Sequence, residues 1–428
     1  MKKHLVLIFT ALLSLTILAP RPGAARVYLD ITSADLKKLS IAVPAFIDPA
    51  APGVVNEKGQ QMADLVAKAL TFHGFISVLP SSSYQNNREA NWTALGVDFV
   101  VLGSYGNEGN EMVIEGTLMD THGNKTIAGK RYRAPWAKNR PILLKLSDEI
   151  IFQLTGEQGV SNTKIAFVSD KTGKKEIYLA DVLGETVRQV TRHKGLTISP
   201  RFSPDGGRLA YTSYHRGNPN LYVTDLSQDK TTKAISWQKG LNMSPAWSPD
   251  GQSMITTLSK DGNSDLYLMT PVGRILERLT TNQGISCSAS WSPDGRRFAF
   301  VSDRSGNPQI YIMDVGTRQV QRLTYNGNEN TTPSWSPKGD LIAYTGLNGS
   351  YHLYTISPNG GQPTQLTQYW GNFESPSWSP DGRQIVLSRG KGQQKELCRV
   401  FLKGEGVTTL FPMKGSQTYP QWSPRLQY

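Results

Sequence analysis

The chain has 428 residues, a formal net charge of +12 and two cysteines. This length is too great for one ordinary domain and favours two. Two cysteines exclude a small scaffold held together by several disulfides, so the fold must depend on a large apolar core.

The amino terminus has the pattern of an export signal. A basic start precedes an apolar run over residues 5–18, and small residues at 23–25 offer a cleavage site. Because the run is too short for a comfortable membrane span, we predict a signal peptide over residues 1–25, cleaved between Ala25 and Arg26. An exported protein does not ordinarily encounter nucleic acid, so we expect no nucleic-acid partner. The basic excess favours solubility or the attraction of an acidic partner.

Residues 26–156 predict a small α/β domain with a mixed sheet. Residues 57–72 place apolar side chains at helical spacing, and residues 142–154 end the domain as a second helix. The expected strands are 41–44, 75–79, 99–103, 111–116 and 127–130. Residues 157–163 are the expected linker.

From residue 164 onwards the chain is a repeat. An aromatic-Ser-Pro phrase, usually followed by Asp-Gly, occurs at Phe202–Gly206, Trp247–Gly251, Trp291–Gly295, Trp335–Gly339, Trp378–Gly382 and Trp422–Pro424. The steps between the aromatic residues are within one residue of 44, which is the period of a four-stranded propeller blade. The Ser-Pro-Asp-Gly phrase is typical of a tight turn, and the aromatic residue is expected to pack between blades.

The ends of the repeat predict how the ring closes. The apolar second strand of a blade also occurs six times, first at Ile165–Val168, where no aromatic-Ser-Pro phrase precedes it. The last phrase, at Trp422, has no second strand after it. We therefore predict that Tyr419–Trp422 supplies the inner strand of the first blade, closing an all-β six-bladed propeller over residues 164–428.

No pattern in the chain carries catalytic chemistry. It has no Gly-x-Ser-x-Gly elbow, no phosphate-binding loop and no histidine pair at metal-ligand spacing, so we predict no enzyme activity, cofactor or metal. His193 and His215 belong to neighbouring blades and could approach each other, but ordinary histidines are the better interpretation. Turn formation explains the repeated Asp better than a calcium ring does, since Lys338 replaces it once. Cys287, expected in a loop, and Cys398, expected in a third strand, should not pair.

The connections between blades are predicted to surround one mouth of the central channel, because each ends at an inner strand and their sequences vary. The α/β domain and the Ser-Pro-Asp-Gly turns should lie on the opposite face. The candidate partner-binding residues of this mouth are Thr197, Ile198, Asn242, Met243, Ser286, Cys287, Glu329, Asn330, Thr331, Thr332, Asn372, Phe373, Glu374, Gln417 and Thr418. Asn330, Thr331 and Glu374 are the leading polar contacts, and Phe373 is the expected apolar anchor. Solvated turns with no partner are the alternative.

An exported chain with this domain order resembles the TolB family of the Tol-Pal system in Gram-negative bacteria. The phrases that carry the resemblance are Ser199–Gly206, Val301–Tyr311 and Tyr419–Pro424. The resemblance covers nearly all of the mature chain. It implies a monomeric, non-enzymatic periplasmic module that binds the peptidoglycan-associated lipoprotein Pal through its propeller and supports outer-membrane integrity and constriction at division. It also implies that some bacteriocins use the same propeller surface.

The start of the mature chain resembles the segment that the family offers to TolA. Its residues alternate in character and indicate an extended chain, and they are Arg26, Val27, Tyr28, Leu29, Asp30 and Ile31. Such a segment can add to the edge of another sheet.

Three other classes of protein use related propellers. A polysaccharide lyase would need a metal site of histidine and carboxylate in the channel, for which scattered histidines give little support. A peptidase-associated propeller would need a hydrolase domain beyond Tyr428. An envelope scaffold that binds peptidoglycan directly would need no protein partner.

Overall fold

A computed structural model describes residues 38–51, 54–227, 232–368, 371–403 and 406–426. The predicted signal peptide and the predicted TolA-contact segment lie outside the described residues. The described chain forms a five-stranded mixed sheet with two helices, followed by six four-stranded antiparallel sheets, which confirms the predicted fold class. Within the described ranges, no helix is long and apolar enough to cross a bilayer.

The α/β domain packs its two helices together on one face of its sheet. Its elements are β1 Leu39–Ala42, α1 Glu57–Thr71, β2 Ile76–Val78, β3 Phe99–Glu108, β4 Glu111–Asp120, β5 Lys125–Ala134 and α2 Asn139–Thr155. The strand order is β2-β1-β3-β4-β5, with β1 parallel to both neighbours. Asn56 caps α1 by accepting from the Gly59 amide at 2.9 Å, and Gly156 ends α2 with a φ of 76°. Met62 and Val66 of α1 share one apolar core with Ile150 of α2.

The six blades repeat one plan of four antiparallel strands. Blade one contains β6 Lys164–Ser169, β7 Glu176–Asp181 and β8 Val187–Gln189; blade two, β9 Thr197–Phe202, β10 Arg208–Arg216, β11 Asn218–Asp225 and β12 Thr232–Ser236; blade three, β13 Asn242–Trp247, β14 Met254–Leu258, β15 Asp265–Met269 and β16 Ile275–Arg278. Blade four contains β17 Ser286–Trp291, β18 Arg297–Ser302, β19 Gln309–Asp314 and β20 Val320–Arg322; blade five, β21 Glu329–Trp335, β22 Ile342–Asn348, β23 Ser350–Ile356 and β24 Thr364–Gln365; blade six, β25 Asn372–Trp378, β26 Gln384–Lys391, β27 Gln394–Phe401 and β28 Val407–Thr409. The last strand, β29 Gln417–Trp422, returns to blade one.

The carboxyl-terminal strand closes the ring. β29 pairs antiparallel with β6, with Gln417 opposite Ser169 and Trp422 opposite Ile165. The indole Nε1 of Trp422 donates to Thr163 Oγ1 at 2.8 Å. The predicted closure is therefore confirmed, and the strand begins two residues earlier than the sequence indicated.

The aromatic-Ser-Pro-Asp-Gly phrase builds a turn and an inter-blade contact at once. In blade four, the Ser292 hydroxyl donates to Asp294 Oδ1 at 2.6 Å, and the same oxygen accepts the Arg296 amide at 3.0 Å. The Ser292 hydrogen bond lowers the pKa of the Asp294 carboxyl. The indole of Trp291 donates to the Ala246 carbonyl of blade three at 3.1 Å. The turn role of Asp and the inter-blade role of Trp are both confirmed.

Each inner strand contains a bulge that the sequence did not predict. In every blade, the residue three positions before the aromatic of the repeated phrase adopts a left-handed φ of 49–57°. These residues are Ser199, Ser244, Ser288, Thr332, Ser375 and Tyr419. The pairing register between first and second strands shifts at the same place in all six blades. A left-handed non-glycine residue is uncommon, so sixfold repetition marks it as a fixed part of this blade design.

The two cysteines stay apart, as expected, and both are free. Cys398 lies in the third strand of its blade, β27. The loop position expected for Cys287 is wrong, because the residue lies in the inner strand β17. Burial raises the pKa of the Cys398 thiol to about 12.

The α/β domain lies against the face of the propeller that carries the Ser-Pro-Asp-Gly turns, as predicted. Arg140 of α2 pairs with Asp181 of blade one at 2.8 Å. Arg399 of blade six donates to the Phe72 carbonyl after α1 at 2.5 Å. Phe72 and Leu144 also share a buried apolar cluster with Trp422, so one core continues from the first domain into the second.

The linker is fixed to the same face by charge. Glu157 pairs with Lys338 Nζ at 3.0 Å and with Arg383 Nη2 at 2.9 Å. Lys338 is the residue that replaces Asp in the repeated turn, and its amide still donates to Ser336 Oγ at 3.1 Å. The exception to the repeat therefore keeps the turn and supplies a contact to the linker.

Candidate partner-binding surface

The first residue of each inner strand is buried, except in blades five and six, where the second residue takes this place. This set comprises Thr197, Asn242, Ser286, Asn330, Phe373 and Gln417, each at most 2% exposed. The amide side chains of this set, those of Asn242, Asn330 and Gln417, brace the connection that leads into their own strand. Asn330 Nδ2 donates to the Asn326 carbonyl at 2.8 Å and to Gln309 Oε1 at 2.9 Å. Asn242 Nδ2 likewise donates to the Gln238 carbonyl at 2.8 Å. These side chains shape the mouth from within.

The position of Phe373 does not fit the anchor role expected from the sequence. Its side chain is fully buried in an apolar cluster with Leu353, Leu387 and Cys398. It occupies the place that Asn330 takes in blade five. An apolar side chain here packs inside the blade, where a partner cannot reach it without unfolding the strand.

The residue after each member of this buried set is more accessible in most blades. Met243, Cys287, Thr331, Glu374 and Thr418 are half-buried, whereas Ile198 is buried.

Hydrogen bonds and an ion pair hold several of the remaining polar mouth residues. Glu374 pairs with Lys395 Nζ at 2.5 Å, and Glu329 accepts from the Tyr351 hydroxyl at 3.2 Å. Asn372 is exposed, and the Thr332 hydroxyl donates to Thr345 at 2.9 Å. The structure thus brings these candidates to one mouth while holding several in fixed orientations.

Exposed apolar side chains on the same connections were missed by sequence reasoning. Trp237 and Tyr325 are 68% and 69% exposed, and both stand five residues before the buried residue, Asn242 or Asn330, of the following inner strand. Leu196, Leu241 and Ile285, each directly before an inner strand, are also exposed. The available signal was the presence of bulky apolar residues at loop positions that other blades fill with polar ones, such as Glu329, Asn372 and Ser416.

The mouth also carries a basic arc, defined as Lys171, Lys174, Lys175, Lys194 and Arg216, on the loops of blades one and two and at the end of β10. All five side chains are exposed. The nearby carboxylate of Glu176 is buried, and it accepts hydrogen bonds from the Thr191 hydroxyl at 2.5 Å and the Lys194 amide at 2.6 Å. Because that carboxylate is committed inside the blade, the arc presents positive charge to solvent.

The two histidines of these blades do approach each other. The ring centroids of His193 and His215 are 4.3 Å apart. Their Nδ1 atoms lie 2.8 Å and 3.1 Å from the Ser213 hydroxyl oxygen, and desolvation lowers the pKa of both rings. Across the part of the chain that the structure describes, no group of three or more His, Cys, Asp or Glu could hold a metal ion.

Comparisons with known proteins agree with this architecture. The family model described as the TolB beta propeller domain matches residues 152–426, and the TolB amino-terminal domain matches residues 27–127. The Tol-Pal system protein TolB of Desulfotalea psychrophila is 43% identical over 212 residues, which are 50% of this chain and 48% of that protein. Its counterpart in Desulfosudis oleivorans is 35% identical over 216 residues, 48% of this chain and 49% of that protein.

These alignments span about half the length of the curated relatives. The structural match is broader. The crystal structure of TolB from Acinetobacter baumannii superposes with a TM-score of 0.78 at 28% identity, covering 91% of this chain and 97% of that chain. Because the propeller match alone extends over more than half of the chain, the chain belongs to the TolB family.

Proposed function

We propose that this protein is a non-enzymatic, periplasmic protein-interaction module of the Tol-Pal system. In this role it supports outer-membrane integrity and constriction at cell division. Family membership and the predicted export signal support the proposal.

The propeller mouth is the proposed binding site for Pal. The single observation that supports it most is the exposure of Trp237, Tyr325 and Ile285 on the inter-blade connections. Exposed aromatic and aliphatic side chains at a concave rim are typical anchors for a protein partner. Thr331 and Glu374, both half-buried at the same mouth, are proposed to orient the partner through hydrogen bonds.

Electrostatics favour an acidic face on this partner. The basic arc of blades one and two lies on the same side as the exposed apolar groups. Complementary charge accelerates encounter and favours the correct partner. A bacteriocin that uses this surface would meet the same chemistry.

Calorimetric titration with the soluble domain of Pal tests the site. Trp237→Ala and Tyr325→Ala should each weaken binding, by about 1–4 kcal/mol if the residue is a hot spot. The matched control is Val272→Ala, because Val272 is 83% exposed but lies in the third-to-fourth strand turn of blade three, on the opposite face. Unchanged affinity in both mouth variants, or an equal loss in the control, would move the site away from the mouth.

TolA is the second proposed partner, bound by the mature amino-terminal segment Arg26–Ile31 through strand addition. A variant without residues 26–31 should fail to capture the TolA carboxyl-terminal domain while still binding Pal. Mass spectrometry of protein from the periplasm should find Arg26 at the amino terminus. Retention of TolA by the shortened chain, or a chain that still begins at Met1, would contradict these assignments.

A further inference from the structure

A chamber lies at the end of the propeller opposite the mouth. This chamber has a volume of about 440 Å³ and is lined by the aromatic-Ser-Pro phrases of all six blades. The prolines of the repeated turns also line it. The chamber is separate from the proposed Pal-binding surface, so its chemistry is independent of the proposed function.

One ring of side chains lines the chamber, contributed by the residue before each aromatic. The ring consists of Arg201, Ala246, Ser290, Ser334, Ser377 and Gln421. The Ser290 hydroxyl oxygen accepts the Trp335 amide at 2.9 Å, and that of Ser377 accepts the Trp422 amide at 3.0 Å. Because these oxygens act as acceptors, their hydroxyl protons stay available to donate.

Arg201 brings a half-buried positive charge to this ring. The one hydrogen bond of its guanidinium to described residues joins Nη1 to the Pro200 carbonyl at 2.9 Å. Burial lowers the pKa of Arg201 to about 10. Within the described chain, the chamber lining contains no Asp or Glu, so the charge has no carboxylate to balance it there.

A second arginine adds to the positive field. Arg425 also lines the chamber, and it donates to the carbonyls of Gln158, Gly159 and Pro380. These three bonds orient the exposed guanidinium without neutralising its charge. A chamber with two guanidinium groups and free hydroxyl donors repels metal cations and attracts anions.

We propose that the chamber binds a small oxyanion, either a carboxylate or a phosphate, through the guanidinium of Arg201. A guanidinium fork matches the two oxygens of either group and forms charge-assisted hydrogen bonds. A partly desolvated charge without a counter-charge is unfavourable, and a bound anion reduces that cost. The chamber is large enough for the anion together with a short organic part.

The test measures binding of inorganic phosphate and of succinate to the mature full-length protein at constant ionic strength. Thermal melting and calorimetry should both detect binding of at least one of the two anions. Arg201→Gln and Arg201→Ala should raise the dissociation constant at least about ten-fold. Both substitutions suit the fold, because Gln421 and Ala246 occupy the same position in other blades. Arg296→Gln, which removes an exposed positive charge from a turn outside the chamber lining, should bind like the wild type.

A second readout separates an anion site from a purely structural arginine. Without added anion, Arg201→Gln should melt at the same temperature as the wild type or higher, since it removes an unbalanced, half-buried charge. If Arg201→Gln fails to fold, Arg201→Lys serves instead, and it should bind the anion more weakly because it lacks the fork.

A response to phosphate alone would identify phosphate as the ligand chemistry, and a response to succinate alone would identify a carboxylate. Absence of binding of both anions to the wild type would overturn the proposal. Equal binding by the Arg201 variants, including Arg201→Lys where it replaces them, would overturn it as well.

Discussion

Replacing Trp422 by alanine should weaken two parts of the protein at once. Trp422 lies in the strand that closes the ring, is 2% exposed, and contacts Phe72 of the α/β domain with ring centroids 6.2 Å apart. Its indole also donates to the hydroxyl of Thr163, at the end of the linker. The side chain therefore belongs to the propeller core and to the domain interface.

The expected loss follows from these contacts. Truncation of a buried tryptophan to alanine costs about 3–5 kcal/mol through lost burial and the cavity that remains. Loss of the hydrogen bond to Thr163 adds about 1 kcal/mol. Trp378→Ala is the matched control, because Trp378 holds the same place in blade six, is 6% exposed, and donates to Ser334 of the neighbouring blade at 2.9 Å.

Urea unfolding and calorimetry distinguish the two variants. Both should lower the free energy of unfolding of the propeller, but only Trp422→Ala should also separate the melting of the α/β domain from that of the propeller. Limited proteolysis should then cut the linker, residues 157–163, faster in Trp422→Ala than in Trp378→Ala. A Trp422→Ala protein with wild-type stability and a single transition would refute the shared-core argument.

Three other substitutions test single contacts. Phe373→Ala should lower the free energy of unfolding by about 3–5 kcal/mol because its side chain is fully buried, and urea titration checks this; a wild-type midpoint would show that the side chain is not packed. Lys338→Asp restores the residue type of the repeat but sets a carboxylate beside Glu157, so limited proteolysis should cut the linker faster. Asp294→Asn, in the equivalent turn of blade four, is the control and should leave the rate of cleavage unchanged. Burial holds the pKa of His73 below its ordinary value of 6.5. The contribution of His73 to the free energy of unfolding is therefore complete above pH 6.5 and declines as the pH falls below that value. It declines because the histidine binds a proton in the unfolded chain more readily than in the folded chain. His73→Gln should flatten this decline in urea titrations between about pH 7.5 and about pH 5.5, and an unchanged slope would assign the pH dependence to other groups.

The blade architecture was accessible from the sequence because one phrase determines two structural features. Ser292 and Asp294 determine the turn, and Trp291 determines the contact with the preceding blade. Six copies of this phrase at a constant period predict the ring. The first copy of the second-strand sequence has no phrase before it, and the last phrase has no second strand after it. This mismatch predicts that β29 closes the ring.

The accessibility of the mouth residues was not predictable from the same pattern. The left-handed residue in each inner strand, such as Ser199, inserts a bulge, and an extra residue reverses the alternation of side chains along a strand. The alternation seen near Phe202 therefore cannot be extended back to Thr197. Phe373 was expected to be an accessible anchor because it was assigned to an inter-blade connection, but it lies in β25 and is buried.

Contacts between distant parts of the chain also could not be predicted from the sequence. Lys338 looked like a tolerated substitution in a turn, and its ion pair with Glu157 joins residues far apart in the chain. The exposed Trp237 and Tyr325 follow outer strands of different sequence, so only their common position in the fold identifies them as one surface.

The closure of blade one affects how the protein bears mechanical load. Once the domain interface has separated, a pull on the α/β domain reaches the propeller through the linker, which enters at β6. That strand lies between β29 and β7 and is hydrogen-bonded on both sides. Tension along β6 must therefore shear two ladders together, whereas a chain that entered at an outer strand would peel one hydrogen bond at a time. The linker therefore enters the ring at a strand that resists traction better than an outer strand would.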